Sequence, residues 1–175
     1  MSWIIVTAAV FAGVILLDQV SKILVAELLY RESVSVIPRV LDFTYVENRG
    51  MAFGLLQDHR WVFIVLSVVG MAAIAYYLYR YGKKWLTRIA LALILGGGVG
   101  NMIDRVRLGY VIDFIDFCAF PTLWMWVFNI ADAAVCVGAA LFVVDLIRDI
   151  VAESKQKRAA AGDGEAQGEE HGNDA

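Results

Sequence analysis

The sequence predicts an all-α integral membrane protein with four transmembrane helices and a small external antiparallel β-sheet. Three observations lead there. The 175 residues are 60% apolar and the mean hydropathy is +0.66, both above what a soluble domain of this length carries. Four segments are long and apolar enough to cross the roughly 30 Å of hydrocarbon at about 1.5 Å per residue. Between the first two lies a polar stretch rich in β-branched and aromatic residues.

Helix 1 spans about residues 3–29. Its uncharged part, 3–17, must continue through Asp18 to cross the bilayer. It lacks a positively charged start and a small-residue cleavage site, so it reads as a retained helix and not a cleaved signal peptide. The external loop, 31–60, holds two alternating segments, 34–37 and 41–46, joined by Pro38-Arg39, which suits a turn. Helix 2, 61–79, contains no charged residue. Helix 3, about 86–104, runs from Ile89 into Asp104, and helix 4, about 122–147, passes through Asp132. Together these form one domain, 1–158. The remainder, 159–175, holds five acids and no Lys or Arg and reads as a disordered, solvated acidic tail on the cytoplasmic side.

Orientation follows from basic residues. Arg80, Lys83, Lys84 and Arg88 fill the link between helices 2 and 3, and Arg148, Lys155, Lys157 and Arg158 follow helix 4. These mark the cytoplasmic side, so both termini are expected inside. Asp18 lies 15 residues after Trp3, Asp104 lies 16 after Arg88, and Asp132 lies 16 before Arg148. Each is therefore roughly 22–24 Å from the cytoplasmic edge. The three acids are expected in one layer, in the outer third of the membrane.

Several function classes are disfavoured by composition. No basic stripe with interleaved aromatics suggests nucleic acid. The two cysteines, Cys118 and Cys136, and the two histidines, His59 and His171, have no metal-ligand or disulfide-framework spacing. Neither a metal nor a cofactor is implied.

Polar residues instead cluster in short blocks. Asp18-Gln19-Val20-Ser21-Lys22 places Asp18 and Lys22 at i and i+4, one helix face, as a pair. In Glu47-Asn48-Arg49-Gly50-Met51-Ala52-Phe53-Gly54, Gly50 and Gly54 permit close backbone approach and Asn48 can direct its amide at a carbonyl. In Gly96-Gly97-Gly98-Val99-Gly100-Asn101-Met102-Ile103-Asp104-Arg105 the glycines read as helix-packing positions, while Asn101, Asp104 and Arg105 share a face. Asn129 and Asp132 share a face of helix 4, and Asp132 interrupts an otherwise uncharged run of 28 residues, 117–144. An ionisable group there is a functional candidate. Asp113 and Asp116 precede that helix, and side-chain physics does not choose between them.

Aspartates with no nucleophilic Ser or Cys, no catalytic His and no metal set point to a carboxyl pair sharing one proton. One carboxylate activates a water while the other protonates the carbonyl oxygen or leaving nitrogen.

Taken together with Gly109-Tyr110-Val111-Ile112-Asp113-Phe114 and Phe128-Asn129-Ile130-Ala131-Asp132, these blocks resemble the lipoprotein signal peptidase (signal peptidase II) family over about residues 3–150. The resemblance implies an aspartyl endopeptidase of the bacterial inner membrane with a periplasmic sheet, a membrane-lying helix and its site near the periplasmic face. It implies prolipoproteins carrying a diacylglyceryl-cysteine as substrates, cut just before that cysteine, and globomycin as inhibitor. Asp113 and Asp132 fall on the family's catalytic positions. Asn48, Gly50, Asn101, Asp104, Arg105 and Asn129 fall on substrate-binding or supporting positions, and Asp18 with Lys22 on a supporting pair. Membrane lipids and no nucleic acid are the expected partners, and a monomer the expected state.

Two other classes compete. An ion-coupled transporter also carries intramembrane acids, but the chain has no inverted repeat and its acids lie off-centre. A non-catalytic scaffold would use the polar residues only to join helices.

Overall fold

Apolar helices dominate the chain because uninterrupted runs of Val, Ile, Leu and Ala leave the backbone no partner in lipid except itself. The computed structural model describes residues 2–30, 32–50, 60–119 and 126–172. It contains α1 (Ser2–Leu28), β1 (Ser33–Ile37), β2 (Leu41–Asn48), α2 (Arg60–Tyr81), α3 (Trp85–Arg107), β3 (Val111–Phe117), β4 (Val127–Phe128) and α4 (Ile130–Gly172). Each helix contains a segment long and apolar enough to span a membrane: Trp3–Leu28, Ile64–Tyr81, Trp85–Arg107 and Ile130–Lys157. The membrane-lying helix that the resemblance implies is not among the described residues.

α3 is the central helix. Half of its spanning segment is buried inside the protein, whereas none of α2's is. Small residues explain how α3 meets two neighbours. A methyl group on Gly96 would lie 2.9 Å from Val14 Cβ of α1, and one on Gly97 would strike the Ala131 carbonyl oxygen of α4. Such close backbone approach substitutes for the hydrophobic drive that lipid cannot provide. α2 is apolar on all sides, as expected of a helix facing acyl chains.

The sheet is larger than the sequence predicts. Its order is β1-β2-β3-β4, antiparallel throughout. The predicted turn is present: the Val40 N–H donates to the Ile37 carbonyl at 2.9 Å, with Arg39 at φ 63°. Pro38 then Arg39 at positive φ is the geometry of a type II turn. β3 was expected to be a connection into helix 4 and is a strand, paired so that Val46 faces Asp113 and Asn48 faces Val111. β4 and the cap that follows move the start of helix 4 from about 122 to Ile130. At its other end α4 continues to Gly172, past residue 159, where the sequence predicts an unstructured tail. The Glu153–Lys157 pair, 2.7 Å at i and i+4, and three consecutive alanines favour continuation of the helix.

Candidate active site

α4 begins with a reciprocal cap. Asn129 Oδ1 accepts from the Asp132 N–H at 2.9 Å, and Asp132 Oδ2 accepts from the Asn129 N–H at 3.3 Å. This is the capping-box arrangement with Asp in the third helical position, so Asp132 is fixed by the same contacts that start its helix. β3 delivers Asp113 to the same place. Register does this: Asp113 faces Val46, and Asn48, two residues along β2, lies on the same sheet face.

Every oxygen of these two carboxylates accepts a hydrogen bond from an amide. Asp113 Oδ1 takes Asn129 Nδ2 at 2.7 Å and Oδ2 takes Asn48 Nδ2 at 2.8 Å. Asp132 Oδ1 takes Asn101 Nδ2 at 2.8 Å, and its Oδ2 takes the Asn129 backbone. Asn129 is thus bonded to both. It is fully buried, and its Nδ2 also lies 3.1 Å from Asn101 Oδ1 and 3.3 Å from the Ile112 carbonyl. Asn48 is oriented in turn by the Gly50 N–H, which donates to its Oδ1 at 3.0 Å.

Beneath the aspartates lies an ionic cluster. The Lys22 ammonium has three protons and three partners: Asp18 Oδ2, Asp104 Oδ2 and Asn101 Oδ1, each at 2.9 Å. Lys22 and Asp18 are essentially inaccessible and Asp104 nearly so. A charge so buried is tolerable only when paired and hydrogen-bonded. Asp18 also accepts through its other oxygen, Oδ1, from the Ala131 N–H at 3.0 Å, and Asp104 Oδ2 accepts from the Ile112 N–H at 3.2 Å as well as from Lys22. By accepting from Lys22, Asn101 Oδ1 fixes which way the Asn101 amide faces, and so aims its Nδ2 at Asp132.

Gln19 belongs to this cluster and was missed from sequence. Its Nε2 lies 3.1 Å from each of Asp18 Oδ2, the Gly100 carbonyl and Asp104 Oδ1. Standing beside Asp18 at a helix end, it reads as an ordinary interfacial amide. Only the arrival of α3 against α1 reveals its role. Gly100 makes that arrival possible, since a methyl there would lie 2.5 Å from Asp18 Oδ2.

The remaining predicted residues sort plainly. Arg105 is half-buried and feels the charges of Asp132, Asp113 and Asp104. Asp116 is on the opposite sheet face from Asp113, across from Asp42, and is more exposed. Gly54 lies outside the described residues. The three-acid layer expected from helical rise is matched in one respect: Asp18, Asp104 and Asp132 are joined through Lys22, Asn101 and Ala131. Cys118 and Cys136 are both free thiols.

Asp113 sits in β3, outside the spanning helices. Burial raises its pKa from the ordinary carboxylate value to about 6; the Asn48 hydrogen bond opposes this, and the negative charge of Asp132 adds to it. A carboxyl group that keeps its proton close to neutrality, beside a second carboxylate whose oxygens accept from amides, suits proton exchange with a bound water.

Residues 10–148 match the family described as signal peptidase (SPase) II. Among curated proteins, the lipoprotein signal peptidase of Halothermothrix orenii is 45% identical over 134 residues, covering 76% of this chain and 89% of that protein. That of Geobacter metallireducens is 43% identical over 146 residues, covering 81% and 90%. Two solved bacterial membrane enzymes share the fold, with TM-scores of 0.77 and 0.76 at 30% and 31% identity. They cover 83% and 82% of this chain, and the chain covers 89% and 94% of them. The family match over residues 10–148, relatives at 43–45% identity along most of their length and the shared four-helix membrane fold together make this chain a peptidase belonging to the signal peptidase II family.

Proposed function

We propose that the chain is an aspartyl endopeptidase of the bacterial inner membrane that removes the signal peptide from prolipoproteins, cutting just before a diacylglyceryl-cysteine. The observation that carries this reading is the amide clamp: Asn129 is bonded to both Asp113 and Asp132, and Asn48 and Asn101 take the carboxylate oxygens it leaves. The names of the curated relatives support the choice of substrate.

In the proposed reaction the pair holds one proton. The ionised carboxylate takes a proton from a water as its oxygen attacks the scissile carbonyl carbon. The protonated carboxyl gives its proton to the carbonyl oxygen, forming a neutral gem-diol. On collapse the C–N bond breaks, the proton gained from water passes to the cysteine nitrogen, and the other returns to the pair. Asn48, Asn101 and Asn129 hold the carboxylates, Gly50 orients Asn48, and the Asp18–Lys22–Asp104 cluster orients Asn101. Arg105 adds positive charge beside the pair.

Both termini are cytoplasmic on this reading and the site is near the periplasmic face, where the acyl chains of a lipidated cysteine are anchored. On this reading the chain acts as a monomer, and globomycin competes with the precursor.

The test is cleavage of a diacylglyceryl-modified prolipoprotein and its unlipidated form by the purified chain, with products weighed by mass spectrometry. The reading expects a product beginning at the lipidated cysteine and at least tenfold slower cutting of the unlipidated form. An intact lipidated precursor after incubation with folded protein would end it.

A further inference from the structure

At the end of the bundle away from the aspartates, a cavity of about 410 Å³ is lined by Trp3, Lys83, Lys84, Trp85, Asp145 and Arg148. It lies between the starts of α1 and α3 and the middle of α4. Trp85 is 19 residues before Asp104 on the same helix, about 28 Å along its axis. The proposed peptidase chemistry uses none of these residues.

The charges in this cavity do not cancel. Asp145 is buried and accepts a hydrogen bond from Thr87 Oγ1, and Lys84 pairs with Asp149. Lys83 and Arg148 are exposed and have no ion-pair partner among the described residues, so positive charge is in surplus. Trp3 and Trp85 are each 55% exposed at the mouth. Leu146 and Ile147, also exposed, lead from Arg148 along the apolar surface of α4. Two unpaired cations, two indoles and an adjoining lipid-facing surface converge at a helix-end level.

We propose that this pocket binds the phosphate headgroup of an anionic phospholipid, Lys83 and Arg148 holding the phosphate and the indoles of Trp3 and Trp85 seated at the boundary of headgroup and acyl chain. Basic pockets between membrane helices recognise such headgroups, and Trp is enriched at that depth. A basic peptide is repelled by the same cations. A soluble anion makes no use of the indoles or the apolar approach. The site is independent of the aspartate pair, so failure of either leaves the other standing.

The experiment titrates the purified full chain in detergent with phosphatidylglycerol and, separately, phosphatidylcholine, counting bound lipids by native mass spectrometry. Lys83→Gln with Arg148→Gln is compared with Lys155→Gln, which removes a cation from the same end but outside the pocket. Thermal melts check folding, and the single substitutions serve if the pair is unstable. The parent is expected to hold one phosphatidylglycerol more than tenfold tighter than phosphatidylcholine. Each pocket substitution should weaken it about fivefold, and the two together roughly 25-fold, with Lys155→Gln near parental. Equal retention of the two lipids, an unchanged double variant, or an equal loss in Lys155→Gln would overturn the proposal. Inorganic phosphate binding as tightly as the lipid would also overturn it, making the ligand a free anion.

Discussion

Replacing Asn129 separates what holds the aspartates from what starts the helix. Asn129→Ala removes the cap on the Asp132 N–H, a loss of about 1 kcal/mol. It also removes the 2.7 Å hydrogen bond to Asp113 Oδ1, worth about 2 kcal/mol for a charged acceptor. The buried Asn101 and Ile112 oxygens lose a donor as well, though Asn101 keeps Lys22. The sum is about 3–4 kcal/mol, enough to lower a melting temperature by several degrees. Asn129→Asp has the same shape and keeps an acceptor for the cap. It loses the donor and brings a third carboxylate to Asp113, so Asp113 is pushed further above its present value of about 6. At pH 7.5 the unpaired buried carboxylate should cost at least as much stability as Asn129→Ala, and the loss should shrink as pH falls and the new carboxyl takes up a proton. Cleavage at pH 7.5 should fall at least 100-fold, with part recovered near pH 5.5, where the new carboxyl can donate a proton to its neighbour. The assay is the initial rate of precursor cleavage from pH 5 to 8.5, beside melts of both variants. Parental activity with an unshifted pH profile in Asn129→Asp would refute the claim that this amide governs Asp113.

Other consequences are simpler to state. Lys22→Met leaves Asp18 and Asp104 buried without their shared cation, a loss of about 3–5 kcal/mol; adding Asp18→Asn and Asp104→Asn should restore much of it, as chemical denaturation would show. Gly97→Ala and Gly100→Ala each press a methyl against a fixed oxygen, the Ala131 carbonyl and Asp18 Oδ2, and should lower the melting temperature, while Gly13→Ala, with nothing within 4 Å, should not. The pKa of Asp113, raised to about 6, makes the folded state bind a proton more tightly than the unfolded chain does. Its contribution to stability is present in full below about pH 4 and is lost as pH rises through about 6, so melts of the parent at pH 5 should exceed those at pH 7.5, and Asp113→Asn should flatten that difference.

The helices and the acid layer were legible because a helix has a fixed rise, which turns sequence distance into depth. Asp18, Asp104 and Asp132 could be put at one level from numbering alone, and the structure links them through Lys22, Asn101 and Ala131. β3 was not legible. Val111-Ile112-Asp113-Phe114-Ile115-Asp116-Phe117 repeats every three residues, matching neither a strand's period nor a helix's, and it becomes a strand only by pairing with β2. That same register separates Asp113 from Asp116, which composition could not. Gln19 escaped notice because its partner Gly100 is 81 residues away. The buried Thr87–Asp145 bond escaped for a similar reason, Asp145 reading as the first polar residue after an apolar run. The start of helix 4 was placed too early because residues 122–128 are as apolar as the helix itself; the Asn129–Asp132 cap sets the boundary.

The most direct test is the cleavage rate of Asp113→Asn and Asp132→Asn, each shown by melting to be folded. Loss of a buried carboxylate with a raised pKa offsets, to within about 2 kcal/mol, the mismatch of an amide facing amide donors, so Asp113→Asn should stay folded at neutral pH. The account predicts that both folded variants lose at least 10⁴-fold in rate, leaving the lipidated precursor uncut over hours. Cutting at the parental rate by either one would contradict the aspartate pair as the catalytic device.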